Sequence, residues 1–343
     1  MNLHTPDWDP LASEVTCNPL AAYDQLRERR PVAYSERMGW SLFRHADVRR
    51  ALLDPATFSS VVSRHVSVPN GMDPPAHTIY RRLIDPYFAD ARIDAFTPHC
   101  RRIAARWAGR SVATAVADPN RQADPVNEAE PGGRLEVMRE VALPYAVRVQ
   151  CAFLGWPECV CDDLIRWTEA NRGAIVAQDR AALAARAREF EELVGELLDK
   201  RIRAGARPED DTTVALAHET IDDRPLGHDA LTSIVRNWTV GEIGTLSAAI
   251  GILVGYLADR PGLQQQLRAR PDLLPVAVDE ILRIHGPLLA NRRTTNRPVT
   301  LADRTIPAGE RVTLVWVAAN RDGRVFPDPE SFRWDRDPAQ NLL

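Results

Sequence analysis

Lysine is almost missing from this sequence: Lys200 is the one lysine among 343 residues, and every other basic side chain of the Lys/Arg class is arginine. The skew reads as codon bias in a GC-rich genome. Its physical consequence is a stock of planar, permanently charged donors suited to carboxylates. An excess of one charge sign is missing too. Lysine and arginine total 43 against 47 acidic residues, a formal charge of −4, which leaves no electrostatic footprint for nucleic acid or an anionic membrane. No basic and apolar leader opens the chain between Met1 and Pro10. The longest apolar stretch, Leu246 to Ala258, is too short to cross a bilayer and fits a buried helix. These absences predict a cytoplasmic protein with no nucleic-acid or membrane partner. Cysteine is sparse and odd in number, with Cys17, Cys100, Cys151, Cys159 and Cys161, which predicts free thiols in a reducing compartment. Cys159 and Cys161 lack a second pair at zinc spacing, so no metal site is expected of them.

What is present is an ordinary globular composition, with 26% charged and 45% hydrophobic residues, which excludes disorder. A chain of this length buries a sizeable core without disulfides or structural metals. Pro31–Tyr34 and Trp40–Phe43 flank a Met38-Gly39 turn and predict a hairpin. Ala46–Leu53 predicts a short helix closed by Asp54-Pro55, and Asp73-Pro74-Pro75 predicts a helix start with Asp73 as cap. Ala117–Gly133, rich in Pro, Asp, Asn, Glu and Gly, predicts an exposed loop longer than its neighbours. The middle is helical, over Leu135–Leu154, Asp162–Ala177, Arg180–Ala204 and a long Gly227–Ala258 helix, then Gly262–Arg268 and Leu273–His285. Arg297–Leu301, Thr305-Ile306 and Arg311–Val317 predict short strands around a Pro307-Ala308-Gly309 turn. The fold class is mainly α with a small β-sheet region built from the two chain ends. Pairing of distant segments favours one interwoven domain over residues 1–343.

Four groups of residues carry candidate chemistry. Glu280 and Arg283 stand three apart on one helix face, where they can pair. The spacing alone is common, since Glu136/Arg139 and Glu169/Arg172 share it, but only Glu280/Arg283 precede the β segment and the run Pro327–Arg336. His77 and Arg81 follow Asp73-Pro74-Pro75 and stand four apart, so both can donate to one anion; His45/Arg49 have the spacing without the lead-in. Arg293 lies thirteen residues before Ile306-Pro307-Ala308-Gly309, directly after Arg292, and strand alternation puts only one of the two on a given side. On the long central helix, Glu242 stands three residues before Thr245 and thus one turn away on the same face.

Taken in this order, the four groups resemble the cytochrome P-450 family of haem-thiolate monooxygenases in its bacterial soluble form, over nearly the whole chain. The resemblance implies the cytochrome P-450 fold and heme b. His77, Arg81 and Arg293 would be donors to the haem propionates. Glu280 and Arg283, completed by Arg336, would form a buried network bracing the haem loop. It implies a reaction that inserts one oxygen atom of dioxygen into a small, largely apolar substrate. Electrons come from NAD(P)H through ferredoxin and ferredoxin reductase. Val61–Asn70, Trp238–Gly241 and Leu288–Ala290 are the expected pocket walls, and Leu164–Ala204 the expected lid.

Two departures from the family pattern stand out. The family places an acid directly before its helix threonine; here Thr245, 35 residues before Glu280, is preceded by Gly244. Either Glu242 substitutes as the proton-relaying acid with Thr245, or the relay is altered and peroxide serves as oxidant, or Thr245 simply bonds a helix carbonyl. The second departure is the signature Phe-x-x-Gly-x-x-x-Cys-x-Gly loop, whose cysteine ligates the iron. None of the five cysteines here has that setting, so the sequence resembles a form truncated before the ligand, with the axial Cys beyond Leu343. No metal ligand is assigned within it. As it stands the chain is expected to be inactive, and the alternative is a non-catalytic haem- or ligand-binding fragment.

Overall fold

The computed structural model describes residues 4–63, 67–117 and 135–342. The Ala117–Gly133 segment therefore lies outside the described residues, apart from Ala117, which ends a helix.

Two short helices, α1 (Ser13–Cys17) and α2 (Pro19–Arg29), lead into the hairpin β1 (Val32–Ser35) and β2 (Gly39–Leu42). Then come α3 (His45–Leu53), β3 (Phe58–Ser59), α4 (Ala76–Ile84) and α5 (Asp90–Ala117). A π-helical turn, Met138–Ala142, opens α6 (Leu143–Leu154). The helices α7 (Cys161–Ala177), α8 (Arg180–Arg203) and α9 (Thr212–Ala217) follow, with a small hairpin of β4 (Thr220–Ile221) and β5 (Arg224–Pro225). Next are α10 (His228–Ala258), α11 (Pro261–Ala269) and α12 (Leu274–His285). The last part holds β6 (Asn291–Thr295), β7 (Val299–Leu301), β8 (Arg304–Ile306), β9 (Arg311–Leu314) and the helical turn α13 (Trp316–Ala319). The fold is mainly α with small sheets.

The chain folds as two compact units. The first takes the described residues of 1–66, 70–77 and 252–343. Its sheet has the order β1-β2-β9-β6-β3, so the N-terminal hairpin is completed by strands from the far end of the sequence. β2 runs parallel to β9, with Trp40 opposite Val312, and the other neighbours are antiparallel. Both faces of β1 and β2 are buried, which suits their Val, Tyr, Trp and Leu content. Val32, Tyr34, Trp40 and Leu42 join Phe58, Ile306, Val312 and Leu314 in one core, while Ala33 and Phe43 pack with Val15, Tyr23 and Val317 in another.

The hairpin turns at Gly39, whose φ is +69° and whose absent Cβ would stand 2.4 Å from the Arg311 carbonyl oxygen. Gly39→Ala therefore meets both a left-handed backbone cost of about 1–2 kcal/mol and a clash with backbone that cannot swing aside. The variant should unfold at clearly lower urea concentration than the parent, with the slope unchanged.

The second unit takes residues 67–69 and 78–251. Its helices are stopped and started by polar side chains. The Asp179 carboxylate accepts from the amides of Ala181 and Ala182, and Asp211 accepts from the Val214 amide and from Arg201 at 2.6 Å. Gly155 ends α6 in the left-handed conformation. On α10, Leu231, Ile234, Val235 and Trp238 recur at helical spacing and are buried. Trp238 meets Phe88 at 5.0 Å and Phe153 at 6.0 Å in an aromatic cluster. By length and composition alone, α10 is long enough and apolar enough to cross a bilayer, a property that core helices share. Leu246–Ala258, expected to be a buried helix too short to span, is part of this longer apolar window, and it is not buried: 11% of the window is, and in 246–258 only Ser247 is.

Several local expectations are corrected. Asp73 does not cap α4 with its side chain: its carboxylate accepts from the Ser59 hydroxyl and from the Ser60 amide at 2.7 Å, while its carbonyl takes the His77 amide. The expected strand Arg311–Val317 ends at Leu314, and Trp316–Ala319 is helical. α5 begins at Asp90 and runs through Pro98. β3 and β6, which are mutual partners, are too short or too charged to show a pattern.

Candidate functional site

In the first unit, α12 brings Glu280 and Arg283 together as a buried pair. Arg283 grips the carboxylate with two nitrogens, Nε to Oε2 at 2.7 Å and Nη2 to Oε1 at 2.9 Å. Arg336 donates its Nε to the same Oε1 at 2.8 Å, and the Arg333 amide adds a bond at 3.2 Å. The remaining guanidinium donors of Arg283 reach the carbonyls of Asn320 at 2.7 Å and Pro329 at 2.9 Å, and Arg336 reaches the Asp328 carbonyl at 2.7 Å. The side chains are 4% exposed for Glu280, 0% for Arg283 and 10% for Arg336, so little water screens the three charges. The structure thus ties one carboxylate on α12 to the irregular segment 320–336 by charge-assisted bonds.

On β6, Arg292 is exposed and Arg293 half-buried, but burial increases along the strand rather than alternating, with Asn291 also exposed and Thr294 also half-buried. Burial pulls the Arg293 guanidinium below its ordinary pKa, and the nearby Asp73 carboxylate opposes this. An arginine stays charged through such a shift. Its Nη1 donates to the Arg292 carbonyl at 2.7 Å, and among the described residues no carboxylate forms an ion pair with it. His77, also in this unit, makes no side-chain hydrogen bond among the described residues; its amide opens α4 on Asp73.

Arg81, one turn on along α4, belongs to the second unit. It pairs with Asp85 at 2.6 Å, both about half exposed. Such a surface pair is worth only about 0.3–0.5 kcal/mol, so Arg81 can leave it for a stronger anion.

Also in the second unit, Val240, Gly241, Glu242 and Gly244 form an exposed stretch of α10. The Thr245 hydroxyl donates to the Gly241 carbonyl at 2.8 Å and lies 3.4 Å from the Glu242 carbonyl, the helix back-bonding considered above. No hydrogen bond joins the Glu242 carboxylate to Thr245 among the described residues. Glu242 is open to solvent at its surface, yet the protein mass around it disfavours its charge and raises its carboxyl pKa above the ordinary glutamate value. A folded-state value above the unfolded one means that stability is full below the unfolded value and falls as pH rises through the raised one. Glu242→Gln removes that penalty. The variant should match the parent at acid pH and exceed it in stability at pH 7; a parallel pH profile of the urea midpoints would contradict this.

The expected pocket walls are drawn from both units. Val61, Val62, Leu288 and Leu289 in the first unit, and Val240 in the second, are exposed apolar side chains. Trp238 is not: it is consumed by the aromatic cluster with Phe88 and Phe153. Ser67, Val68 and Asn237 hold the 67–69 segment on α10 through the Ser67 hydroxyl to Asn237 at 3.1 Å and the Asn237 amide to the Val68 carbonyl at 2.8 Å. Residues 64–66 lie outside the described residues.

In the first unit, His77 and Arg293 carry donors that no described carboxylate occupies, which fits the carboxylate edge of a haem; Arg81, in the second unit, is held among the described residues by Asp85 alone. The thiolate side is different. Cys17 and Cys159 are exposed, Cys100 is partly buried, and Cys151 and Cys161 are buried together. None lies on a glycine-rich loop, and no cluster of three metal-ligating side chains occurs among the described residues.

Residues 180–337 match the family model of cytochrome P-450. Over 93% of its length the chain is 30% identical to the mycinamicin IV hydroxylase/epoxidase of Micromonospora griseorubida, covering 79% of that protein. The chain belongs to the cytochrome P-450 family. It is equally, at 30%, identical to the vitamin D(3) 25-hydroxylase of Pseudonocardia autotrophica, over 95% of this chain and 79% of that one. The solved structure of cytochrome P-450 CYP109Q5 from Chondromyces apiculatus is similar with a TM-score of 0.80 at 26% identity, covering 96% of this chain and 82% of that one. Membership brings the oxidoreductase class of the family, monooxygenation, and its haem-thiolate cofactor.

Sequence reasoning missed two features of this P-450 chain. Arg333 contributes its backbone amide to Glu280, which no side-chain motif signals. Asp24 on α2 binds Arg27 and Arg321, and Glu28 binds Arg324, so a second ion network fastens the segment after α13. The partners stand 297 and 296 residues apart, and nothing local announces them.

Proposed function

We infer that the protein inserts one atom of dioxygen into a small, largely apolar organic substrate in the cytoplasm. The electrons come from NAD(P)H through ferredoxin and its reductase. The observation that carries the reading is Arg293, a half-buried guanidinium with no carboxylate paired to it. Such a charge is stable when an anion arrives to complete it, and the two carboxylates of heme b are that anion. His77 and Arg293, in the first unit, would hold the propionates, and Arg81, in the second, is a further candidate donor. The thiolate-ligated haem supplies dioxygen activation. Glu280, Arg283 and Arg336 hold the 320–336 segment in place. Glu242, its carboxyl biased toward keeping a proton, delivers protons through water to the Thr245 hydroxyl, as general acids with raised pKa values do. None of the five cysteines is assigned as the haem's thiolate ligand.

A haem titration of the purified chain tests this. Saturation at one equivalent, with a Soret band whose reduced carbonyl complex lacks the thiolate position, is the expected result. A thiolate-type band would overturn the assignment of the cysteines, and absence of stoichiometric binding would overturn the propionate donors.

A second reading rests on Gly244, which stands where the family motif has an acid. Peroxide would then be the oxidant. It requires product formation by the haem-loaded, thiolate-ligated enzyme with hydrogen peroxide alone, and dependence on NAD(P)H and ferredoxin excludes it.

A further inference from the structure

The second unit contains a cavity of about 170 Å3 that the proposed reaction does not use. Trp107 and Trp156 wall it, Arg148 and Glu158 supply charge, and Cys151 and Cys161 both line it. Cys151 comes from α6 and Cys161 is the first residue of α7. Each is almost fully buried, at 2% and 1% exposure, so the cavity is their route to small solutes. The two thiols line the same cavity from successive helices, and each is the largest influence on the other's ionisation.

The pair is asymmetric, and the asymmetry has physical causes. Cys161 is the first residue of a 17-residue helix, whose dipole favours a thiolate there, although its own amide is bonded to the Glu158 carbonyl. The neighbouring Cys151 thiol is the largest influence holding Cys161 below the ordinary thiol value and the Arg148 charge adds to it, against burial and the Glu158 and Asp162 carboxylates, which oppose it. Accepting that role pushes the Cys151 thiol up. Arg148 lies 3.8 Å over the Trp107 ring, and its Nε is buried without a hydrogen-bond partner. Arg148 also pairs with Asp162 at 3.5 Å and donates to the Pro144 carbonyl at 3.1 Å, which leaves only its Nε unused. A sulfur favoured as thiolate, a second thiol lining the same cavity and a neighbouring cation are the parts of a thiol-oxidation site.

We propose that Cys151 and Cys161 form a redox-active dithiol, which hydrogen peroxide entering this cavity closes to a disulfide joining α6 and α7. The Cys161 thiolate attacks one peroxide oxygen, the O–O bond breaks, and the other oxygen leaves as water after protonation. Cys161 is then a sulfenic acid. The Cys151 sulfur displaces its hydroxyl, forming the S–S bond and releasing a second water. The dithiol loses two electrons and peroxide gains them; a thiol reductant reverses the change. The inference does not rest on the haem reading.

Mass spectrometry of the purified chain tests it. After limiting hydrogen peroxide and alkylation, three of the five thiols should remain reactive, and dithiothreitol should restore all five. Cleavage after Glu158 separates Cys151 from Cys159 and Cys161, and the crosslinked pair should contain Cys161. Cys159→Ser should leave the crosslink unchanged. Cys151→Ser, checked for folding by circular dichroism, should instead accumulate a dimedone-reactive sulfenic acid at Cys161. Five free thiols after peroxide, a crosslink through Cys159, or oxidation of exposed Cys17 ahead of Cys161 would each overturn the proposal.

Discussion

Glu280→Ala should lower the free energy of unfolding by about 3–5 kcal/mol, the cost of stranding a buried charge by deleting its partner. Arg283 is fully buried and spends two donors on the Glu280 carboxylate, and Arg336 at 10% exposure spends a third. Alanine leaves two guanidiniums facing each other without counter-charge and the Arg333 amide without its acceptor. Neither arginine can shed its charge by deprotonation, so the strain is relieved only by opening the 320–336 segment to water. Glu280→Gln keeps the volume and one acceptor oxygen but not the charge, and should cost less than alanine while still exceeding about 1 kcal/mol. Glu169→Ala is the internal control: Glu169 and Arg172 share the spacing but are exposed, and the change should stay within about 0.5 kcal/mol. Urea unfolding at constant slope reads all three. Amide exchange in residues 320–336 should quicken in Glu280→Ala before the rest of the first unit; a loss under 1 kcal/mol with unchanged exchange would refute the role given to the network.

How far this site was legible depends on where its partners lie in the chain. Glu280 and Arg283 share a helix turn, so spacing alone put them on one face, and the Pro-rich run ending at Arg336 singled them out from other matches. The resemblance to a family then pointed to Arg336, 56 residues on, and the structure joins it to Glu280. A strand's period of two separated Arg293 from Arg292; Arg293 is the more buried of the two, but burial along β6 rises toward Thr295 instead of alternating. What stayed hidden is non-local. β3 and β6 pair Phe58 with Thr295, and β2 runs parallel to β9 across some 270 residues. Such register is set by the whole core rather than by either strand. Asp73 looked like a helix cap because Asp before Pro usually is one; here its carboxylate is claimed by Ser59 and Ser60, which become neighbours only once β3 forms. Trp238 looked like a pocket wall from its place on the central helix, but helical phase turns it toward Phe88 and Phe153.

Arg293→Ala should weaken haem binding by about 10- to 100-fold, the equivalent of one lost charge-assisted contact of about 1.5–3 kcal/mol. The argument turns on what the apo protein already bears. Half-burial of Arg293 removes part of its hydration, shown by its lowered pKa, and no described carboxylate pairs with it in return. A binding group held in this way is a local cost to folding that a ligand repays. Arg293→Ala should therefore leave apo stability unchanged or raise it, while the haem titration shifts to higher concentration. Arg292→Ala, on the exposed side of the same strand, should alter haem affinity less than twofold. A structural arginine would give the opposite split, with lost stability and no specific loss of haem. Equal effects of the two variants on haem affinity would mean that Arg292 is the donor or that neither is, since the alternation of β6 lets only one of them face a given ligand.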